Sequence, residues 1–123
     1  MSGLLDTSVL IGPFTKGLPD ELAISVVSLA ELRLGVLLAR DLATRSTRLA
    51  RLVEAERAFS PIPVDDEAAS AYASIVAAAR EEGRKPKTMD ALIVATASAK
   101  GLTLYTWDRD FVNLRHVHVK VLS

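Results

Sequence analysis

Two periods alternate along this chain. Short, almost unbroken apolar runs, Gly3-Leu4-Leu5, Ala23 to Val27 and Leu102 to Thr106, read as strands covered on both faces, as in a parallel sheet packed between helices. Between them, apolar residues return every three or four positions, the period of a helix with one buried side. After Ser28 the set is Leu29, Leu32 and Val36. From Asp41 to Ser60 it is Leu49, Leu52, Val53 and Phe59. From the caps Asp65 and Asp66 to about Glu82 it is Ala68, Tyr72, Ile75, Val76 and Ala79. Another helix is predicted over Met89 to Lys100 with Thr88 as its cap, and Gly83 and Gly101 end these last two. The final run, Val117 to Leu122, alternates Val117, Val119 and Val121 against His116, His118 and Lys120, a strand with one solvated face. Strands and helices taken in turn predict an α/β fold, a parallel sheet with helices on both sides, as one domain over residues 1–123.

Local signals refine the pattern. Ser28-Leu29-Ala30-Glu31 spells a capping box, in which Glu31 reaches back to the Ser28 N–H and so has a purely structural task. Gly12-Pro13 and Gly17-Leu18-Pro19 make residues 12–21 a loop after a turn or two of helix. Ser60-Pro61-Ile62-Pro63-Val64 has room only for a short edge strand, because neither proline donates to a ladder. Arg45, Arg48 and Arg51 recur every third residue and read as a solvated face. Leu34, Leu37 and Leu38 fall off the stripe that one core-facing helix needs, so this apolar surplus is expected to meet another chain.

Composition adds limits. Half the residues are hydrophobic, enough for a real core. Lys plus Arg and Asp plus Glu both number 15, so any affinity for a polyanion must be local. The absence of Cys excludes disulfides and zinc–thiolate sites and suits a reducing cytoplasm. Met1 to Leu5 has no basic start, and no apolar run approaches the ~20 residues of a membrane span, so a cytoplasmic protein with no membrane partner is expected.

The acids change the picture. Asp6 ends the first strand, Glu31 opens the helix after the second, Asp90 lies in the first turn of a late helix, and Asp108 and Asp110 follow the strand after it. Each has a plain structural reading, since carboxylates are favourable near helix N-termini by ~0.3–1 kcal/mol, and Asp6 alone serves as a cap for the turn Ser8 to Ile11. Strand-to-helix connections nevertheless put all of them at one edge of the sheet, where α/β proteins gather their chemistry. Carboxylates in one crevice raise each other's pKa unless a cation neutralises them. Mg²⁺, or Mn²⁺ with the same oxygen preference, is the economical cation, and it suits hydrolysis of a phosphodiester. The basic connection Arg84, Lys85 and Lys87, with Arg109 and Arg115, is placed to contact phosphates.

Leu5-Asp6-Thr7-Ser8, Ser28 to Gly35, Asp90 to Ala97 and Thr106-Trp107-Asp108-Arg109-Asp110-Phe111 together resemble the PIN-domain ribonucleases, and within them the VapC-type toxins of bacterial VapBC pairs. The resemblance covers essentially the whole chain. It implies a three-layer αβα domain with a central, mainly parallel sheet, Mg²⁺ or Mn²⁺ dependence, cleavage of RNA inside the strand, and a VapB antitoxin partner. Carried over by position, Asp6, Glu31, Asp90 and Asp108 form the catalytic acids, with Asp6, Asp90, Asp108 and Asp110 as metal ligands and Thr7 and Thr106 as supporting hydroxyls. Gly12-Pro13 departs from the pattern by shortening a helix that is often longer in relatives. Two other readings stand beside it. A haloacid-dehalogenase-type phosphohydrolase also begins with an Asp after its first strand, but needs a second acid where Ser8 stands. A PIN-like module that binds RNA or protein without cutting is the other. A homodimer is expected from the surplus leucines.

Overall fold

The computed structural model describes residues 2–12, 18–113 and 117–122. Four parallel strands form its centre: β1 (Ser2–Leu5), β2 (Glu21–Ile24), β3 (Thr103–Thr106) and β4 (Val119–Val121), in the spatial order β2-β1-β3-β4. In register, Leu5 faces Ile24 on one side and Tyr105 on the other, and Thr106 faces Val121. Parallel neighbours require crossovers, which are supplied by α1 (Thr7–Ile11), α2 (Val26–Leu38), α3 (Leu42–Ala58), α4 (Asp66–Glu81) and α5 (Thr88–Lys100). A 3₁₀ turn over Arg109–Asn113 follows β3.

Strand alternation builds two cores. Leu4 and Leu104 point to one face, where Ile75, Ala79, Ile93, Val94 and Ala97 of α4 and α5 cover them. Their neighbours Leu5 and Tyr105 point to the other, against Leu29, Leu32, Leu52 and Ala55 of α2 and α3. Both faces of the sheet are therefore dry, which is why the strands read as unbroken apolar runs. Each fully buried Leu or Ile contributes ~1.5–3 kcal/mol from transfer out of water. The result is the three-layer αβα arrangement with a parallel sheet.

Several boundaries differ from the sequence expectation, for physical reasons. The second strand stops at Ile24 and the helix begins at Val26, with Ser25 as the cap accepting from the Val27 N–H at 3.0 Å. Both ladder partners run out there: β1 ends at Leu5 opposite Ile24, and the Pro61-Ile62-Pro63 segment pairs through Ile62 alone, as a single bridge to Ser25. Ser28 and Glu31 thus lie inside α2 and form no capping box. Thr88 is the first residue of α5 rather than its cap; Lys87 takes that place without a side-chain bond. Leu49, expected to point inward, is 47% exposed, and Ala55 packs with Leu52 instead. Arg48 is not simply solvated, since its Nη1 donates to the Gly35 carbonyl at 2.7 Å, one of the last-turn acceptors of α2. The final strand is shorter than expected, with His118 exposed before it, while His116 lies outside the described residues.

Candidate active site

Because the strands are parallel, their carboxyl ends share one edge, and α5, which returns antiparallel to them, begins at that same edge. Asp6 follows β1, Asp108 follows β3, Glu31 stands one turn into the helix that follows β2, and Asp90 lies in the first turn of α5. The buried polar residues gather here too: Asp6, Ser25, Ser28 and Thr106, four of the five among the described residues, with Thr96 the exception. Buried polar groups need partners: Asp6 and Thr106 partner each other, Ser28 meets Thr7, and Ser25 accepts from the Val27 N–H.

Asp6 is only 5% exposed. Its Oδ2 accepts from Ser8 Oγ at 2.7 Å, from Thr106 Oγ1 at 2.9 Å and, more weakly, from the Ser8 N–H at 3.4 Å. Asp6 is thus the cap of α1, as one reading of the sequence had it, but the two hydroxyl bonds are the shorter ones. Both hydroxyls accept in turn: Ser8 Oγ from the Trp107 N–H at 3.1 Å, and Thr106 Oγ1 from the Asp108 N–H at 2.9 Å. Across the crevice Thr7 Oγ1 donates to Glu31 Oε1 at 2.6 Å and stands 2.9 Å from Ser28 Oγ. Glu31, freed from capping, is held by a side chain of another element.

Asp90 shows what this crowding does. Burial pushes its pKa up from the usual 3.8, and the charges of Asp6, Glu31 and Asp108 push it further, while Lys87 opposes them. Three other acids thus bear on Asp90. A cleft of ≈ 260 Å³ opens at Asp90 and is lined also by Asp108, Asp110, Phe111 and the basic connection Arg84, Lys85, Pro86 and Lys87. Among the described residues, no three acids already close on a single point as a finished cation site. The chemistry of the set still fits a hard divalent ion: every donor is an oxygen, and Lys87 offsets only part of the repulsion on Asp90.

The residues singled out from sequence thus divide. Asp90, Asp108, Asp110, Arg84, Lys85 and Lys87 share the cleft wall. Asp6 and Glu31 lie behind it, tied to Thr106 and Thr7, and reach Asp90 through charge. Asp110 is exposed, and its N–H donates to Asp108 Oδ1 at 2.9 Å. Arg109 is exposed and is not part of the cleft lining, and Arg115 lies outside the described residues. Two hydroxyls, Ser8 and Ser28, were missed. Their signal was the hydroxyl two positions after Asp6, and a serine whose apparent capping task disappears once the helix starts earlier.

Residues 3–117 match the model of the PIN domain. The chain belongs to the PIN-domain family, in its VapC branch. It is 40% identical over 119 residues to Ribonuclease VapC5 of Mycobacterium tuberculosis, covering 92% of this chain and 87% of that protein. Ribonuclease VapC8 of the same organism is 45% identical over 104 residues, or 80% of this chain and 92% of the other. Among solved structures, that of VapBC-5 from M. tuberculosis, described as a member of the VapBC family of toxin–antitoxin systems, superimposes with a TM-score of 0.89 at 38% identity, over 98% of this chain and 97% of that one. The order β2-β1-β3-β4 with helices on both faces is thus a PIN fold. Among the described residues no helix of this PIN protein is long and apolar enough to cross a membrane.

Proposed function

We propose that this chain is a Mg²⁺- or Mn²⁺-dependent endoribonuclease, the toxin of a toxin–antitoxin pair, which hydrolyses RNA phosphodiesters and thereby inhibits translation or growth. The observation that carries the reading is the joint action of Asp6, Glu31 and Asp108 on Asp90 at the mouth of a cleft with a basic wall. Kinship to proteins named as VapC ribonucleases supports the substrate class.

Asp6, Asp90 and Asp108 would hold the ion, with Asp110 at the rim. A bound divalent ion supplies Lewis acidity toward a phosphodiester oxygen and lowers the pKa of water. Glu31, oriented by the Thr7 hydroxyl, orients the attacking water or accepts its proton. Thr106 and Thr7 hold the carboxylates rather than the substrate. Arg84, Lys85 and Lys87 lie on the cleft wall where phosphates flanking the scissile bond would pass, and Arg109 extends that path over the surface. Single-stranded or looped RNA fits better than duplex, whose A-form resists entry to a narrow crevice.

The reading extends to partners. A VapB-type antitoxin restrains the enzyme, as the toxin–antitoxin description of the VapBC-5 structure suggests. Leu34, Leu37 and Leu38 are 52%, 74% and 63% exposed, a surface that a second copy or the antitoxin would cover, so the active form is a homodimer. The protein works as a single PIN domain in the cytoplasm. The test is cleavage of RNA by purified protein with Mg²⁺ or Mn²⁺ against the same assay in EDTA. Loss of cleavage in EDTA, restored by either ion, is expected; equal cleavage in EDTA overturns the mechanism.

A further inference from the structure

Two parallel relays end on one oxygen. The Trp107 N–H donates to Ser8 Oγ (3.1 Å), whose proton goes to Asp6 Oδ2 (2.7 Å); the Asp108 N–H donates to Thr106 Oγ1 (2.9 Å), whose proton goes to the same Oδ2 (2.9 Å). Each hydroxyl donates once and accepts once. The 3.3 Å approach of Ser8 Oγ to Thr106 Oγ1 is therefore a contact with no proton left to share. Among the described residues, no bond falls on Asp6 Oδ1.

We propose that Ser8 is a positioning residue. Its hydroxyl commits Asp6 Oδ2 to the protein, so that Oδ1 alone faces a cation, and it pins the chain leaving β3 so that Asp108 stands at a fixed distance from Asp6. Thr106 runs the second relay from β3 to the same oxygen, but the two hydroxyls hold different points of the chain: Thr106 holds the Asp108 N–H, whereas Ser8, on α1, holds the Trp107 N–H one residue earlier. Position 107 carries a bulky indole whose placement depends on the same bond. Gly12 allows the ring to stand against the end of α1: a Cβ there would lie 2.9 Å from Trp107 Nε1 and 2.7 Å from the Ser8 carbonyl. Groups that orient metal ligands in this way typically change metal affinity 10–100-fold when removed.

This inference rests on the metal-dependent reading above, and its test separates the two. Mn²⁺ binding to metal-free protein is measured by electron paramagnetic resonance and calorimetry for wild type, Ser8→Ala and Ser8→Thr, with melting of the metal-free forms in parallel. Ser8→Ala is expected to weaken Mn²⁺ binding ~10-fold while folded, and Ser8→Thr, which keeps the hydroxyl, to stay within ~3-fold of wild type. If Ser8→Ala does not fold at the assay temperature, Ser8→Cys, close in volume but a weak donor, takes its place with the same expectation. A Ser8→Ala protein that melts earlier yet binds Mn²⁺ as wild type does overturns the assignment, and so does Ser8→Thr as weak as Ser8→Ala. Wild-type protein that binds no Mn²⁺ overturns the proposed function itself.

Discussion

At the amino edge of the sheet Asp65 and Glu67 share Lys100, at 2.9 and 4.0 Å; at the carboxyl edge Asp90 faces Asp6, Glu31 and Asp108. The same residue types meet opposite fates. The Lys100 side chain, then the Ala68 N–H, hold the Asp65 carboxyl below its usual range, and Asp65 caps α4 while Lys100 ends α5. These charges are exposed, opposite in sign and placed where helix ends want them, so they serve the fold at little desolvation cost. At the other edge burial and like charge act together, and Asp90 is pushed the other way. Asp6 caps α1 and Asp90 opens α5, but capping does not call for gathering four acids where burial and like charge oppose them, which marks the edge as a place shaped for a ligand.

Asp90→Asn gives the widest contrast. RNA cleavage is expected to fall by at least ~100-fold, while metal-free protein melts no earlier than wild type, because a repelled charge has been removed. Kinetics with Mn²⁺ and thermal melts in chelator check both halves; a markedly less stable metal-free variant would erase the distinction between the edges. Neutralising Arg84, Lys85 and Lys87 together comes next. RNA binding should weaken, and the slope of log affinity against log salt should become shallower by ~0.7 for each phosphate that is no longer neutralised. Fluorescence anisotropy over a salt series measures this, and an unchanged slope removes the basic wall from the substrate path.

Asp65→Asn sharpens the comparison from its quieter side. Cleavage should be unchanged and the melting temperature only slightly lower, because Asn still caps α4 and only the exposed pairing with Lys100 is lost. The signs with pH are opposite. Asp65 has a depressed folded pKa, so its contribution is full above 3.8, its unfolded value, and fades as pH falls through the lower folded one. Asp90 has a raised folded pKa, so the metal-free fold is favoured below 3.8 and loses that favour as pH rises through the folded value. Melts of wild type and both variants from acid to neutral pH should show Asp65→Asn costing stability only toward neutrality, where Asp90→Asn restores it.

Much of this was legible in the chain. Leu4-Leu5 and Leu104-Tyr105 alternate between two dry faces, so the sheet announced itself as apolar runs, and parallel topology then assigned the acids to one edge. Leu34, Leu37 and Leu38 could be read as surplus because a helix has only one face toward the core. Other features depend on pairings distant in sequence. Ser25 and Ser28 offer the same cap chemistry, and the choice between them is made by where β1 and Ile62 stop pairing. Thr7 meets Glu31 across 24 positions, and Ser8 meets Trp107 across 99. No local pattern encodes such pairs: Thr7 and Thr106 enter as supporting hydroxyls only through the family resemblance, and the bonds of Ser8 to Trp107 and of Ser28 to Thr7 have no local signature at all.

Trp107 is the only tryptophan in the chain, and its indole N–H is buried with no hydrogen-bond partner among the described residues. It sits one residue before Asp108, with its ring against Gly12 and its backbone tied to Ser8. Red-edge excitation therefore draws light from one chromophore, half-buried beside the crevice with its N–H shielded and oriented by the chain that carries an acid. A change of charge at Asp108 or a shift in the exit from β3 alters the field across that ring. Without any label, the colour and brightness of the protein's own emission give a running view of its acidic edge.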